Sequence, residues 1–338
     1  MNIIAKQAKA KPAELLAGFA AALELGDVPG VVLERAKLQI LDALGVGLAS
    51  NAYDFASATV AGVKALGGIG ECSLIGRTER LTVRDAGWAN GVLIHGLDFD
   101  DTHLGSIVHP TAACLPCALS FGEHRDVSGA EFLVAYIAGM ETAIRIGPAV
   151  AGGFHHAGFH ATGIVAHFSA AIVAAKLLGL NADQMVTAQG IAASTTSGVQ
   201  VFLEEGAGTK RLHPGWAAVA GMAAAQLAAA GFKGPSRPYE GRFGLFETHL
   251  QLHAANADLD ALSSGLGSVW RLTETAIKPY PVCHFIHGCA GAAVLLHGEI
   301  DPAGTGLVAG ATFGHVAGRT AAQVESNSRT LNTAEATE

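Results

Sequence analysis

Apolar residues recur three and four positions apart through roughly the first 270 residues, a period that fits α-helices and excludes an extended β architecture. Many of these positions are alanine, and the 338 residues include 43 glycines. Helices of such small side chains are expected to approach one another closely. Half of the residues are hydrophobic and only 15% are charged, which allows a sizeable buried core. The expected fold class is mainly α.

Helix start and stop signals divide the chain. Pro12–Leu25 and Pro29–Ala49 are expected as two helices, each opened by proline in its first turn, with Gly26-Asp27 between them. In the second, Val32, Ala36, Ile40, Leu44 and Leu48 fall at four-residue spacing on one face. Glu71–Ile75 is a short β-like run before Gly76, and Val83–Leu97 is expected as a helix that delivers His95 and Asp98 at its end. Further helices are expected at Pro110–Phe121, Gly129–Ile146, Thr162–Leu178, Ala182–Ser194 (capped at Asn181) and Pro214–Ala230. Glu141 and Arg145 stand at i,i+4, a helix-face ion pair worth about 0.2–0.5 kcal/mol. Val269–Ile277 alternates in β fashion and ends at the rigid Lys278-Pro-Tyr-Pro281, and Val282–His297 is helical again. From Asp301 the periodicity fades, and Thr320–Glu338 is expected as a solvated or disordered tail.

Several function classes are set aside by composition. A net charge of −8 argues against a general nucleic-acid binder. The N-terminus lacks the apolar core and cleavage site of a secretory signal. Gly215–Phe232 is apolar enough to raise a membrane question, but its Ala/Gly character fits a buried helix better, so no membrane partner is expected. Five cysteines, an odd number with a single C-x-x-C at Cys114–Cys117, fit free thiols in a reducing cytoplasm. No nucleophile elbow, phosphate loop or dinucleotide fingerprint is present, and Gly67-Gly-Ile-Gly70 lacks the strand–turn–helix context of one.

Four islands carry the chemistry. Asp98, Asp100, Asp101, Thr102, His103 and His109 lie in DFDDTHLGSIVH, where three carboxylates within four positions need partners or a shared proton. His160 precedes a helix starting near Thr162, where backbone N–H groups favour anions. Lys210 and Arg211 precede the helix at Pro214, and Lys278 is fixed by two nearby prolines. Taken singly, a capping histidine or a surface lysine explains each of the last three. Together they suit proton chemistry beside a carboxylate, with Asp98 as a base, a histidine as acid, and Lys210, Lys278, His160 and His109 to stabilise an enolate. Asp98, Asp100, Asp101, His103 and His109 could instead ligate Mn²⁺ or Zn²⁺, although that leaves Lys210 and Lys278 without a role.

LDFDDTH, HPTAACLPCAL, GFHATG, TKRLHPG, YEGRFGLF and KPYPVCH, in that order, resemble the MmgE/PrpD family from about Pro12 to Leu296. That family includes 2-methylcitrate dehydratase, cis-aconitate decarboxylase and some epimerases. The resemblance implies a large all-helical domain over residues 1–268, the start of a smaller α+β lid domain over 269–300, and an atypical, poorly ordered tail over 301–338. Because the pattern is lost after Glu299, the expectation is a chain shortened at its C-terminus with an incomplete lid. The resemblance also implies a cytoplasmic homodimer with no cofactor or metal. Its activity would be that of a lyase dehydrating, hydrating or decarboxylating a small polycarboxylate. An epimerase, or a shortened non-catalytic remnant, is the alternative. Carried over by motif, Asp98, His109 and His160 are the catalytic candidates, and Thr102, His103, Lys210 and Lys278 the substrate-binding ones, with His103 ranked below His109.

Overall fold

A computed structural model describes residues 11–150 and 152–300, with the backbone alone for 297–300. The helices are α1 (Pro12–Ala22), α2 (Gly30–Ser50), α3 (Asp54–Gly67), α4 (Val83–His95), α5 (Thr111–Arg125), α6 (Gly129–Ile146), α7 (Gly153–His156), α8 (Ala161–Leu177), α9 (Ala182–Ala193), α10 (Phe202–Glu205), α11 (Leu212–Ala229), α12 (Leu245–Leu250) and α13 (His287–Ile300). Four two-residue strands form two antiparallel pairs: β1 (Cys72–Ser73) with β2 (Arg80–Leu81), and β3 (Thr102–His103) with β4 (Thr275–Ala276). The fold is mainly α, as the helical period requires. Two compact units divide between Pro281 and Val282. In the second, a 3-10 turn at His284–Ile286 leads into α13, and the rings of His284 and His287 stack at 4.5 Å. The expected tail, 301–338, and the N-terminal segment tested for a leader lie outside the described residues.

The first unit is organised around α8, whose residues are buried on every side except at Lys176. A helix apolar all round has to be enclosed, and α5, α6, α9 and α11 enclose this one. Small residues set the spacing. A Cβ on Gly91 of α4 would lie 2.5 Å from the Cα of Gly215 on α11, so those backbones touch directly. One on Gly221 would lie 2.5 Å from the Ala170 Cβ of α8. Cys114 and Cys117 are buried free thiols in α5. The apolar stretch from Gly215 falls in α11, a core helix. Among the described residues one helical stretch, Gly129–Val150, is long and apolar enough to cross a membrane, and it is 89% buried within the protein.

Local capping fixes where helices begin. Ser128 accepts from the Glu131 N–H while Glu131 accepts from the Ser128 N–H, and Asn181 and Gln184 do the same for α9.

Four expectations are corrected. The stripe on α2 is not a constant four-residue series, for Leu48 is 54% exposed while Gln39, Ala43 and Val46 are buried. Each step of four overshoots a turn by about 40°, so four steps rotate Leu48 to nearly the opposite side. α3, absent from the expected helices, buries Ala56, Val60 and Val63 on one face. Val269–Ile277 is mostly not a strand: Arg271–Glu274 is a 3-10 turn, and only Thr275 and Ala276 pair with a strand. Its backbone groups go to side chains, with Glu141 accepting the Leu272 N–H, Gln39 donating to the Leu272 carbonyl and Arg35 to that of Thr275. Finally, Glu141 and Arg145 are not a surface pair. Both are buried, 3.2 Å apart, and Arg145 also donates to the carbonyls of Ser264, Gly265 and Val269. The pair fastens the 263–272 segment to α6.

Candidate active site

The site begins where α4 stops. His95 is its last residue, and Asp98, at φ 51°, turns the chain back in a left-handed conformation that aspartate tolerates better than most residues. This turn carries Asp100 underneath His95, where its Oδ2 lies 2.8 Å from His95 Nδ1. β3 follows, and strand alternation sends its two side chains apart. Thr102 faces His109, with Oγ1 3.3 Å from Nδ1. His103 points the other way, to Ser106 (2.8 Å) and Glu274 (3.2 Å), so both of its ring nitrogens are engaged outside the cluster. The loop returns through paired His103 and Val108 backbones to His109, whose N–H donates to Thr162 Oγ1 at the start of α8.

Two lysines arrive from distant segments. Lys210 sits in the 3-10 turn before α11, a turn held to the end of α4 by Arg211, which donates to the Gly96 carbonyl and lies over the Phe55 ring. Lys278 follows β4, and the β3–β4 pairing brings it beside Asp98. Lys210 Nζ is 2.8 Å from Asp98 Oδ2 and Lys278 Nζ is 3.1 Å from Asp98 Oδ1. His109 Nε2 is 3.8 Å from the same Oδ1.

Burial works against ionising the Asp98 carboxyl, but Lys210, then His109 and Lys278, outweigh it and hold its pKa at about 2. Asp100 is likewise desolvated, yet His95 and His109 keep it well below the usual carboxylate range. Asp101 goes the opposite way: burial pushes it up to about 8, against the bonds it accepts from the Thr111 N–H and hydroxyl. It is a neutral acid at pH 7. Desolvation first, and neighbouring positive groups second, lower His109 to about 3, although Asp100 opposes this. The Asp101 carbonyl 2.9 Å from His109 Nδ1 can only accept, so the proton sits on Nδ1 and Nε2 keeps its lone pair.

His160 caps α8, its N–H bonded to the Gly198 carbonyl and its Nδ1 3.0 Å from that of His213. Burial holds its pKa well below the imidazole value, and His213 is lowered to about 4 for the same first cause. The rings of His95, His109 and His160 lie 4.8, 5.5 and 6.2 Å apart. Of the residues selected from sequence, Asp98, Thr102, His109, His160, Lys210 and Lys278 share one site, and His103 stands outside it. Asp100, read from sequence only as a member of the acidic island, and His95, read only as lying at the helix end, join it together with His213, which had not been singled out. The usable signal was His95 three positions before Asp98 and five before Asp100, all at one helix end.

His95, Asp100 and His109 place possible metal-ligand atoms within 4.8 Å of one another. Bonds of about 2.0–2.2 Å to a common ion set two ligand atoms roughly 3 Å or more apart. The 2.8 Å between His95 Nδ1 and Asp100 is a hydrogen bond instead. The metal-ligand set considered from sequence also does not converge, since His103 faces away and Asp101 is bound by Thr111.

In this helical domain the Asp98 carboxylate lies between two lysines, beside the clustered rings of His95, His109 and His160. The chain belongs to the MmgE/PrpD family, whose N-terminal domain matches residues 14–257. That region runs from within α1 through α12 and holds every site residue except Lys278. A cis-aconitate decarboxylase-like protein of Aspergillus oryzae is 29% identical over 297 residues, covering 85% of this chain and 59% of that protein. The cis-aconitate decarboxylases of Aspergillus terreus and Homo sapiens are 28% and 30% identical, over 83% and 80% of this chain and 59% and 56% of their own lengths. The chain therefore spans less than three fifths of the length of these relatives.

Proposed function

We propose that the chain is a lyase acting on a small polycarboxylate of the cis-aconitate or 2-methylcitrate kind by acid–base chemistry. The observation that carries this is Asp98 bonded to Lys210 and Lys278 with His109 Nε2 beside it. Two ammonium groups on one carboxylate leave a positive charge for a carboxylate of the substrate. Cis-aconitate, the substrate in the relatives' names, supplies such groups. Asp98 serves as a fixed anion that orients both lysines, since a carboxylate with pKa near 2 is a weak base at neutral pH.

His109 takes the proton. An anionic substrate against Nε2 raises its proton affinity. In a dehydration the C–H proton goes to Nε2, the carbon's electron pair forms the double bond, and hydroxide leaves with a proton from His160, which takes that proton from solvent when the anionic substrate raises its proton affinity. In a decarboxylation the C–C pair stays on carbon as CO₂ leaves, and the carbon takes a proton from water, which departs as hydroxide. Lys210 and Lys278 stabilise the enolate in both. On this reading the protein works as a cytoplasmic homodimer without metal or organic cofactor. Its free cysteines support a reducing compartment, and its negative charge a small-molecule partner and not nucleic acid.

Calorimetric titration with cis-aconitate tests the binding half. Wild type is expected to bind it, and Lys210→Ala to weaken binding about 10–100-fold, the worth of a charge-assisted hydrogen bond. Equal binding by both proteins would contradict the clamp.

A further inference from the structure

We infer that Asp100, held by His95, is a positioning carboxylate through which His109 keeps the proton it accepts; this rests on the proposed acid–base reading. Asp100 has a fully buried side chain, and a single oxygen, Oδ2, serves two imidazoles: 2.8 Å to His95 Nδ1 and 3.5 Å to His109 Nδ1. Its other oxygen, Oδ1, has no hydrogen-bond partner. A buried carboxylate with one oxygen unsatisfied is costly. No backbone segment is held by it, in contrast to Asp101, which is pinned by Thr111 and supports the start of α5.

His95 explains how the charge stays in place. Beside an ionised oxygen its Nδ1 must carry a proton, and its ring is packed against those of His109 and His160. Its Nε2 has no partner and is shut off from solvent, so the ring serves the Asp100 bond. At rest the His109 Nδ1–H is directed at the Asp101 carbonyl, with the Asp100 charge just beyond hydrogen-bond range. When the substrate C–H bond breaks, its electron pair stays on carbon and the proton joins Nε2. Nδ1–H is retained, Asp100 takes no proton, and its charge now faces an imidazolium at 3.5 Å in a medium that screens poorly. The other charged or titratable groups around His109 are Asp98, Lys210, Lys278, His95 and His160, and Asp42 and Asp101 act on Asp100 itself. Asp100 is the carboxylate 3.5 Å from Nδ1.

Asp100→Asn is expected to lower kcat on cis-aconitate about a hundredfold or more while KM stays near wild type. A loss that falls on KM with kcat unchanged overturns the inference. A second measurement needs no turnover. In the full chain with ¹⁵N-labelled histidine, His95→Gln is expected to raise the pH at which His109 protonates, because Asp100 then turns to it alone. Adding Asp100→Asn should abolish the rise, and identical midpoints in the two proteins would overturn the coupling. If wild type turned over nothing while the midpoint followed Asp100, the proposed function would fail and the pairing would stand.

Discussion

Asp98, Asp100 and Asp101 are neighbours in sequence and occupy three different electrostatic settings. Asp98 is balanced by lysines and Asp100 by imidazoles, whereas burial raises the Asp101 pKa against the hydroxyl and amide donors of Thr111. The Asp101 proton makes stability depend on pH. Its folded pKa, about 8, is above its unfolded value, so the folded chain binds more protons than the unfolded one between about pH 4 and 8. Its contribution to stability is full below that window and is lost as pH rises through it. Asp98, lowered to about 2, has the reverse sign, contributing above about pH 4 and losing that contribution as pH falls through 2. Asp101→Asn keeps a neutral acceptor for Thr111, so the fall in thermal midpoint from pH 5 to 8 should become shallower than in wild type. An unchanged slope would show that Asp101 is ionised in the fold.

At the level of elements, the site residues that were legible in sequence stand at helix ends and tight turns, where Gly, Pro and Asp mark the chain. Asp98, His109, His160, Lys210 and Lys278 all do. His95 and Asp100 were visible only as a helix-end histidine and a member of an acidic island, because Asp100 is one of three equivalent letters until the turn at Asp98 places it under His95. His103 points away from Thr102 because adjacency in sequence means opposite faces in a strand. Helix types were readable because small apolar residues dominate, whereas the fate of Val269–Ile277 and of Glu141–Arg145 depended on tertiary partners absent from local pattern. The close contact of α4 and α11 gives a direct test. Gly91→Val places atoms against the Gly215 backbone, which cannot shift without moving α11, and is expected to cost about 1–3 kcal/mol by chemical denaturation. A neutral outcome would mean that the two helices are not in backbone contact.

For the molecule as a whole, the site joins segments nearly two hundred residues apart: Asp98 at the end of α4, Lys210 before α11, and Lys278 from beyond the matched N-terminal domain. The β3–β4 pair, only two residues long on each side, ties the last of these to the rest. The measurement that bears most directly on this assembly is ultraviolet absorbance of cis-aconitate incubated with the purified full chain, without added metal and again after chelation. Wild type should change the absorbance in both conditions, and His109→Ala and Asp98→Asn should each abolish the change while retaining wild-type thermal melting. Turnover that survives both substitutions would contradict the assignment of the site, and a folded wild type that leaves cis-aconitate and 2-methylcitrate unchanged would contradict the proposed lyase activity.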